Sequence, residues 1–183
     1  MELKGSIIGI VSNDYIEDEL KGTVKDIVVK KSSDALKMVG LDDSYLDKDF
    51  RDLSDRDKNK IILASKLQNK EIKLINFSKG LTNKDMEFFN KLFKKIVSYG
   101  RKIILVDKNS NMFMNCVDNL YVINKEIILE TDDLYNEELK KYIDVPSIVE
   151  FTHKSLENGI KLNHYNDLDD LLKAIYRIKS WDI

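Results

Sequence analysis

A domain of parallel strands and covering helices is what this 183-residue sequence predicts, and three features predict it. Short runs rich in isoleucine and valine recur at 7–11 (IIGIV), 72–76 (IKLIN) and 102–107 (KIILVD). They are strand-length and almost wholly apolar, as strands buried on both faces are. Between them lie longer segments whose apolar residues return at helical spacing.

The clearest unit is the stretch between the second and third runs, NKDMEFFNKLFKKIVSY. Phe89, Leu92, Phe93, Ile96 and Val97 fall on one helical face, with Phe88 counted in the same core stripe. Thr82 or Asn83 can cap its start, and Gly100 can supply the left-handed residue at its end. Strand, helix, strand at this spacing reads as a βαβ crossover. The segment 119–130 (NLYVINKEIILE) reads as a hairpin turning at Asn124-Lys125. A helix over 33–39 closes at Gly40. Another starts at Ser54, where Asp57 three residues on resembles a capping box. In the tail, one helix starts at Pro146 and ends near Gly159. A second runs from about Asp167, capped by Asn166, to about Ile178, with Leu168, Leu171, Leu172, Ile175 and Ile178 inward.

One proline and seven glycines leave little room for a linker, so 1–183 is expected to be one domain. Its helical insertion spans about 24–68 and its helical tail about 146–183. With 30 basic against 32 acidic side chains and a formal charge of -2, a generally basic nucleic-acid binder is excluded. No apolar run approaches the roughly 18 residues of a membrane span, and the start lacks a signal peptide's layout. A single cysteine, Cys116, cannot form an internal disulfide, which fits a reducing cytoplasmic setting.

In order and spacing these elements resemble an ATP-binding cassette ATPase, most closely the ATPase subunits of energy-coupling factor (cobalt- and vitamin-type) transporters. GIVSNDYIEDELKGTVKDI is similar to that family's strand, Q-loop and Thr-Val element, here Thr23-Val24. ALKMVGLDDSYLDKDFRDLSDRDKNKIILA resembles the helical subdomain leading into the signature motif. EIKLINFSKGL falls in the Walker B region, and ILVDKNSNMFMNCVDNLYVINKEII resembles the switch strand and closing hairpin. VPSIVEFTHKSLENGIKL and DLDDLLKAI resemble the C-terminal helices. The likeness covers roughly residues 6–178.

The resemblance implies a P-loop-NTPase-like core sheet lacking its N-terminal strands and Walker A loop, with a helical subdomain and C-terminal helices. It also assigns functional positions, all altered. The Q-loop glutamine falls at Asn13; in a second register, KGSIIGIVSND is the strand entering a deleted phosphate loop. The signature motif becomes Leu53-Ser54-Asp55-Arg56-Asp57, whose carboxylates favour the helix start but repel phosphate. The Walker B strand ends at Asn76-Phe77 or, one residue earlier, at Ile75-Asn76, and with no acid from Ile72 to Lys84 neither register supplies one to hold magnesium or polarise water. The switch histidine falls at Lys108. No G-x-x-x-x-G-K-[ST] pattern occurs in the sequence.

These replacements lead to the expectation that the chain is not an enzyme and takes no cofactor or metal. It would be a non-hydrolysing subunit beside a cognate cassette ATPase, a transmembrane transporter subunit, or a second copy of itself. Its place would be the cytoplasm, at the inner face of the membrane, with no nucleic acid bound and no insertion into the bilayer. The alternative is a nucleotide-binding ATPase with a rebuilt phosphate site using Arg56, Lys58 or Lys108.

Other candidates have bland readings. His153 and His164 lack the ligand count of a zinc site. Cys116 reads as a buried thiol. Asp132-Asp133 and Asp169-Asp170 suit loop and helix starts. Trp181 and Ile183 at the end could contact a partner.

Overall fold

A computed structural model describes residues 3–12, 20–114, 116–165 and 168–179. The three apolar runs form strands β1 (Ile7–Val11), β2 (Glu71–Ile75) and β3 (Lys102–Asp107). The hairpin supplies β4 (Asn119–Asn124) and β5 (Glu126–Thr131). All five belong to one sheet in the order β2-β3-β1-β4-β5. β1 pairs in parallel with both β3 and β4, and β2 in parallel with β3, while β5 runs antiparallel to β4. The three expected strands therefore lie side by side.

Between β1 and β2 come α1 (Val24–Ile27), α2 (Ser32–Met38) and α3 (Asp55–Lys66). Thr23 caps α1 through a capping box with Asp26, a local structural use for the Thr-Val element. α4 (Asn83–Ser98) joins β2 to β3, with Thr82 and Asp85 forming its capping box. The tail holds α5 (Ser147–Glu157) and α6 (Leu168–Lys179). Pro146 stands at the N-cap of α5, and Gly159, with φ of 79°, follows its end. Among the described residues no helix is long and apolar enough to cross a membrane.

The core joins the strands to α3 and α4 through Ile7, Ile61, Leu63, Ile72, Leu74, Phe89, Phe93, Ile103 and Leu105. Gly9 leaves room over the central strand β1 for the side chains of Phe113 and Leu120. A Cβ there would lie 2.7 Å from Phe113 Cδ1 and 2.8 Å from Leu120 Cδ1. Gly9→Val is expected to destabilise the chain by about 1–3 kcal/mol through overpacking, read as a lower urea midpoint.

Two helical expectations are corrected. Phe88 is 42% exposed, because the buried face of α4 runs through Phe89, Leu92, Phe93 and Ile96. On α6, Leu171 is buried but Leu168 and Leu172 are 61% and 41% exposed. A single buried stripe through Leu171 is narrower than the face drawn from periodicity. Asn166, Asp167, Trp181, Ile183 and the side chain of Ile178 lie outside the described residues.

Candidate functional site

Parallel pairing puts the C-terminal ends of β1, β2 and β3 at one end of the sheet, with Val11 opposite Asp107 and Ile75 opposite Val106. Three expected positions gather there: Asn76 and Phe77 after β2, and Lys108 after β3. Asn13, two residues beyond β1, lies outside the described residues.

The turn after β2 begins with Asn76 in the left-handed region (φ 51°), its N–H donating to the Val106 carbonyl at 2.7 Å. The next side chain is thereby sent inward. Phe77 is fully buried and packs edge-on to Phe89, with ring centroids 4.9 Å apart, and against Phe93 at 5.7 Å. At the end of β3, Asp107 is fully buried. Its carboxylate accepts from the Ser78 N–H at 3.0 Å and the Asn109 N–H at 2.9 Å. One side chain thus ties the two strand-end loops together, while Lys108 beside it is exposed.

The first turn of α3 closes on itself. Ser54 accepts from the Asp57 N–H at 3.2 Å, and its hydroxyl donates to the Asp57 carboxylate at 2.9 Å. This is the self-capped helix start expected from Ser54 and Asp57. Arg56, weighed as a phosphate contact, is instead forked onto Asp85 of α4, with two 3.0 Å bonds from Nε. Asp85 also accepts from the Thr82 N–H at 3.0 Å and the Thr82 hydroxyl at 2.6 Å. Burial alone would raise the Asp85 carboxyl pKa. The hydrogen bonds from Arg56 and Thr82 outweigh it and hold that pKa well below the usual carboxylate range.

The turn after β2 is clamped between these helices. Asn59 donates to the carbonyls of Phe77 at 2.9 Å and Lys79 at 2.7 Å. Lys79 pairs with Asp55 at 3.4 Å. Gly80, with φ of 74°, passes so close to α3 that a Cβ would lie 2.9 Å from the Arg56 backbone N. The start of α3, the loop 76–82 and the first turn of α4 thus form one block.

Sequence reasoning missed Asp107, Asp85 and Asn59. Asp85 stands three residues after Thr82, a capping-box spacing that marks it in the sequence. Asp107 closes an apolar strand just before Asn109, a turn signal. Asn59 carries no local signal, since its partners are 18 and 20 residues away.

The remaining candidates serve packing. His153 is buried on α5, its Nε2 donating to the Tyr135 carbonyl at 2.8 Å. His164 stacks on Tyr135 with centroids 3.9 Å apart. Among the described residues no group of three His, Cys, Asp or Glu could hold a metal ion. Asp133 accepts from the Tyr135 N–H in the loop after β5, and Asp169 and Asp170 open α6. Cys116 is buried, and burial pushes its thiol up to about 12. The native protein is therefore expected to resist a thiol-specific reagent at neutral pH and to react in full once unfolded in denaturant.

No family model matches the chain. Solved structures do. The cassette MJ0796, in a post-hydrolysis state bound to ADP and Pi, matches 68% of this chain and 62% of its own, at 18% identity and a TM-score of 0.54. The protein cbiO1 of Clostridium perfringens, part of the ABC transporter complex cbiONQ, matches 80% of this chain and 67% of its own, at 21% identity and a TM-score of 0.52. The fold is that of the ATP-binding cassette ATPases. A curated relative adds sequence likeness: the energy-coupling factor transporter ATP-binding protein EcfA2 of Spiroplasma kunkelii is 25% identical over 170 residues, 87% of this chain. The chain spans 56% of that relative's length. The resemblance to energy-coupling-factor ATP-binding proteins read from the sequence is thus found independently.

These comparisons correct one expectation. Altered motif residues led to the reading that the chain is not an enzyme. The proteins it resembles are transporter ATP-binding proteins, one of them seen after hydrolysis with its products. Replacement of individual motif residues does not demonstrate lost catalysis, and that reading is withdrawn.

Proposed function

We propose that this chain is a cassette subunit of an energy-coupling-factor-type transporter. It pairs with a second ATP-binding cassette, or with a copy of itself, and docks on a membrane subunit at the inner face of the cell membrane. The observation that carries this reading is the likeness to a transporter ATP-binding protein along 87% of the chain. The helical segments between β1 and β2, with α5 and α6, support it as the parts that would meet other subunits. A docking role depends on surface shape, which persists when phosphate ligands change.

On this reading Ser54, Asp55, Arg56 and Asp57 form the surface offered to the partner cassette's nucleotide. Asn76 and Phe77 close the Walker B strand, Lys108 stands at the switch position and Asn13 at the Q-loop. Nucleotide turnover is then a property of the assembled pair.

The test is co-expression with an energy-coupling-factor membrane subunit and a second cassette, followed by affinity purification through a tag on this chain. Recovery of both partners at physiological ionic strength is the expected result. Recovery of this chain alone across a range of salt concentrations contradicts it.

A further inference from the structure

The most exposed large apolar side chain among the described residues is Val29, at 75%. It stands in the elbow between α1 and α2, and that elbow is pinned from within. Val28, the next residue back, is buried in the core with Val24. The Val28 N–H donates to the Val24 carbonyl at 2.8 Å, and the Ser32 hydroxyl donates to the Val28 carbonyl. The Ala35 N–H donates to the carbonyl of Lys31, whose backbone is left-handed (φ 49°). Val29 is therefore held out in water by a fixed turn, where it adds little to the core.

Positive charge surrounds it. From Lys21 to Lys37 the chain carries five lysines and two aspartates, a local charge of +3 in a chain whose formal charge is -2. Lys25, Lys30 and Lys31 are all exposed. Of the two acids, Asp26 is turned back on its own helix start, accepting from the Thr23 N–H at 3.0 Å and the Thr23 hydroxyl at 2.6 Å. Asp34 shares a hollow of about 310 Å³ with Lys25 and Lys31, two cations against one carboxylate.

We propose that this elbow is a peripheral contact for an anionic lipid surface. The lysines meet acidic headgroups, and Val29 reaches the apolar boundary between them. A nucleic-acid backbone would use the lysines and leave Val29 in water, whereas a bilayer fits both parts of the patch. Lysines around a single valine give a weak, salt-sensitive contact, which orients a chain beside a membrane without anchoring it. The inference goes beyond the transporter reading, which needs only protein partners.

The full chain by itself tests it. Cys116 is the one cysteine of the sequence and is buried, so Val29→Cys offers a single exposed thiol for an environment-sensitive fluorophore. Vesicles of equal parts phosphatidylglycerol and phosphatidylcholine should shift that label to the blue, and pure phosphatidylcholine should not. The same label on Tyr99→Cys, also at an exposed position, should not shift with either. In co-sedimentation of unlabelled protein, combining Lys30→Gln with Lys31→Gln should weaken binding to the anionic vesicles by about tenfold or more. Val29→Ser should weaken it about threefold, through the apolar contact alone. Both variants are checked for an unchanged circular dichroism spectrum. Equal binding to neutral vesicles, no binding to either kind, or lysine variants that bind as the parent does would overturn the proposal. Tighter binding to duplex RNA than to vesicles, unchanged by Val29→Ser, would overturn it in favour of a nucleic acid.

Discussion

Phe77→Ala should lower the unfolding free energy by about 3–5 kcal/mol, the cost of removing a buried aromatic ring and leaving a cavity. The ring lies between Phe89 and Phe93 and is fully buried, so little relaxation can refill the space. Against a total stability of about 5–15 kcal/mol, this leaves the variant marginal. Urea unfolding followed by circular dichroism measures it, and a loss below about 1 kcal/mol would mean the ring is not packed as described. Phe77→Glu should be worse, because it forces a carboxylate into the same apolar site without a partner. Since Asn76 turns this side chain into the core, an acid cannot simply be placed at the end of β2.

Asp85→Ala should cost about 2–4 kcal/mol, combining loss of the α4 cap with loss of charged hydrogen bonds to Arg56. Arg56 is 49% exposed and can be rehydrated, which keeps the figure below that for an ion pair buried on both sides. The pH dependence has a definite sign. An unfolded aspartate titrates near 3.9, and the folded Asp85 carboxyl is held lower by Arg56 and Thr82 despite its burial. Its stabilisation is therefore complete above about pH 4 and falls away as pH drops through the folded value. The stability gap between the parent and Asp85→Asn should be constant near neutrality and narrow below about pH 4. A gap that stays unchanged down to pH 2 would contradict the ion pair.

The strands, α4 and the capped start of α3 were legible because each rests on a local rule: apolar runs, helical spacing, and a hydroxyl three residues before an acid. The sheet's neighbours beyond the βαβ unit were not, since β1 meets β3 and β4 across about a hundred residues of chain. The exposure of Leu168 and Leu172 was misread for the same reason. Periodicity gives a helix an apolar face, but only tertiary packing decides how wide a stripe is covered. At the candidate site, Ser54 and Asp57 were read as they stand. The forked bond from Arg56 to Asp85 was missed because it joins residues 29 apart. The inward turn of Phe77 depends on one left-handed residue, Asn76, which no pattern in the strand announces.

The central claim is that this chain works as one cassette of a transporter pair, offering the start of α3 to its partner. A photo-cross-linking residue in place of Asp55, introduced into the co-expressed complex, tests this most directly. The account predicts an adduct between this position and a second cassette, identified by mass spectrometry of the cross-linked peptides. A complex that is recovered intact yet yields adducts only within this chain, or none, would contradict it.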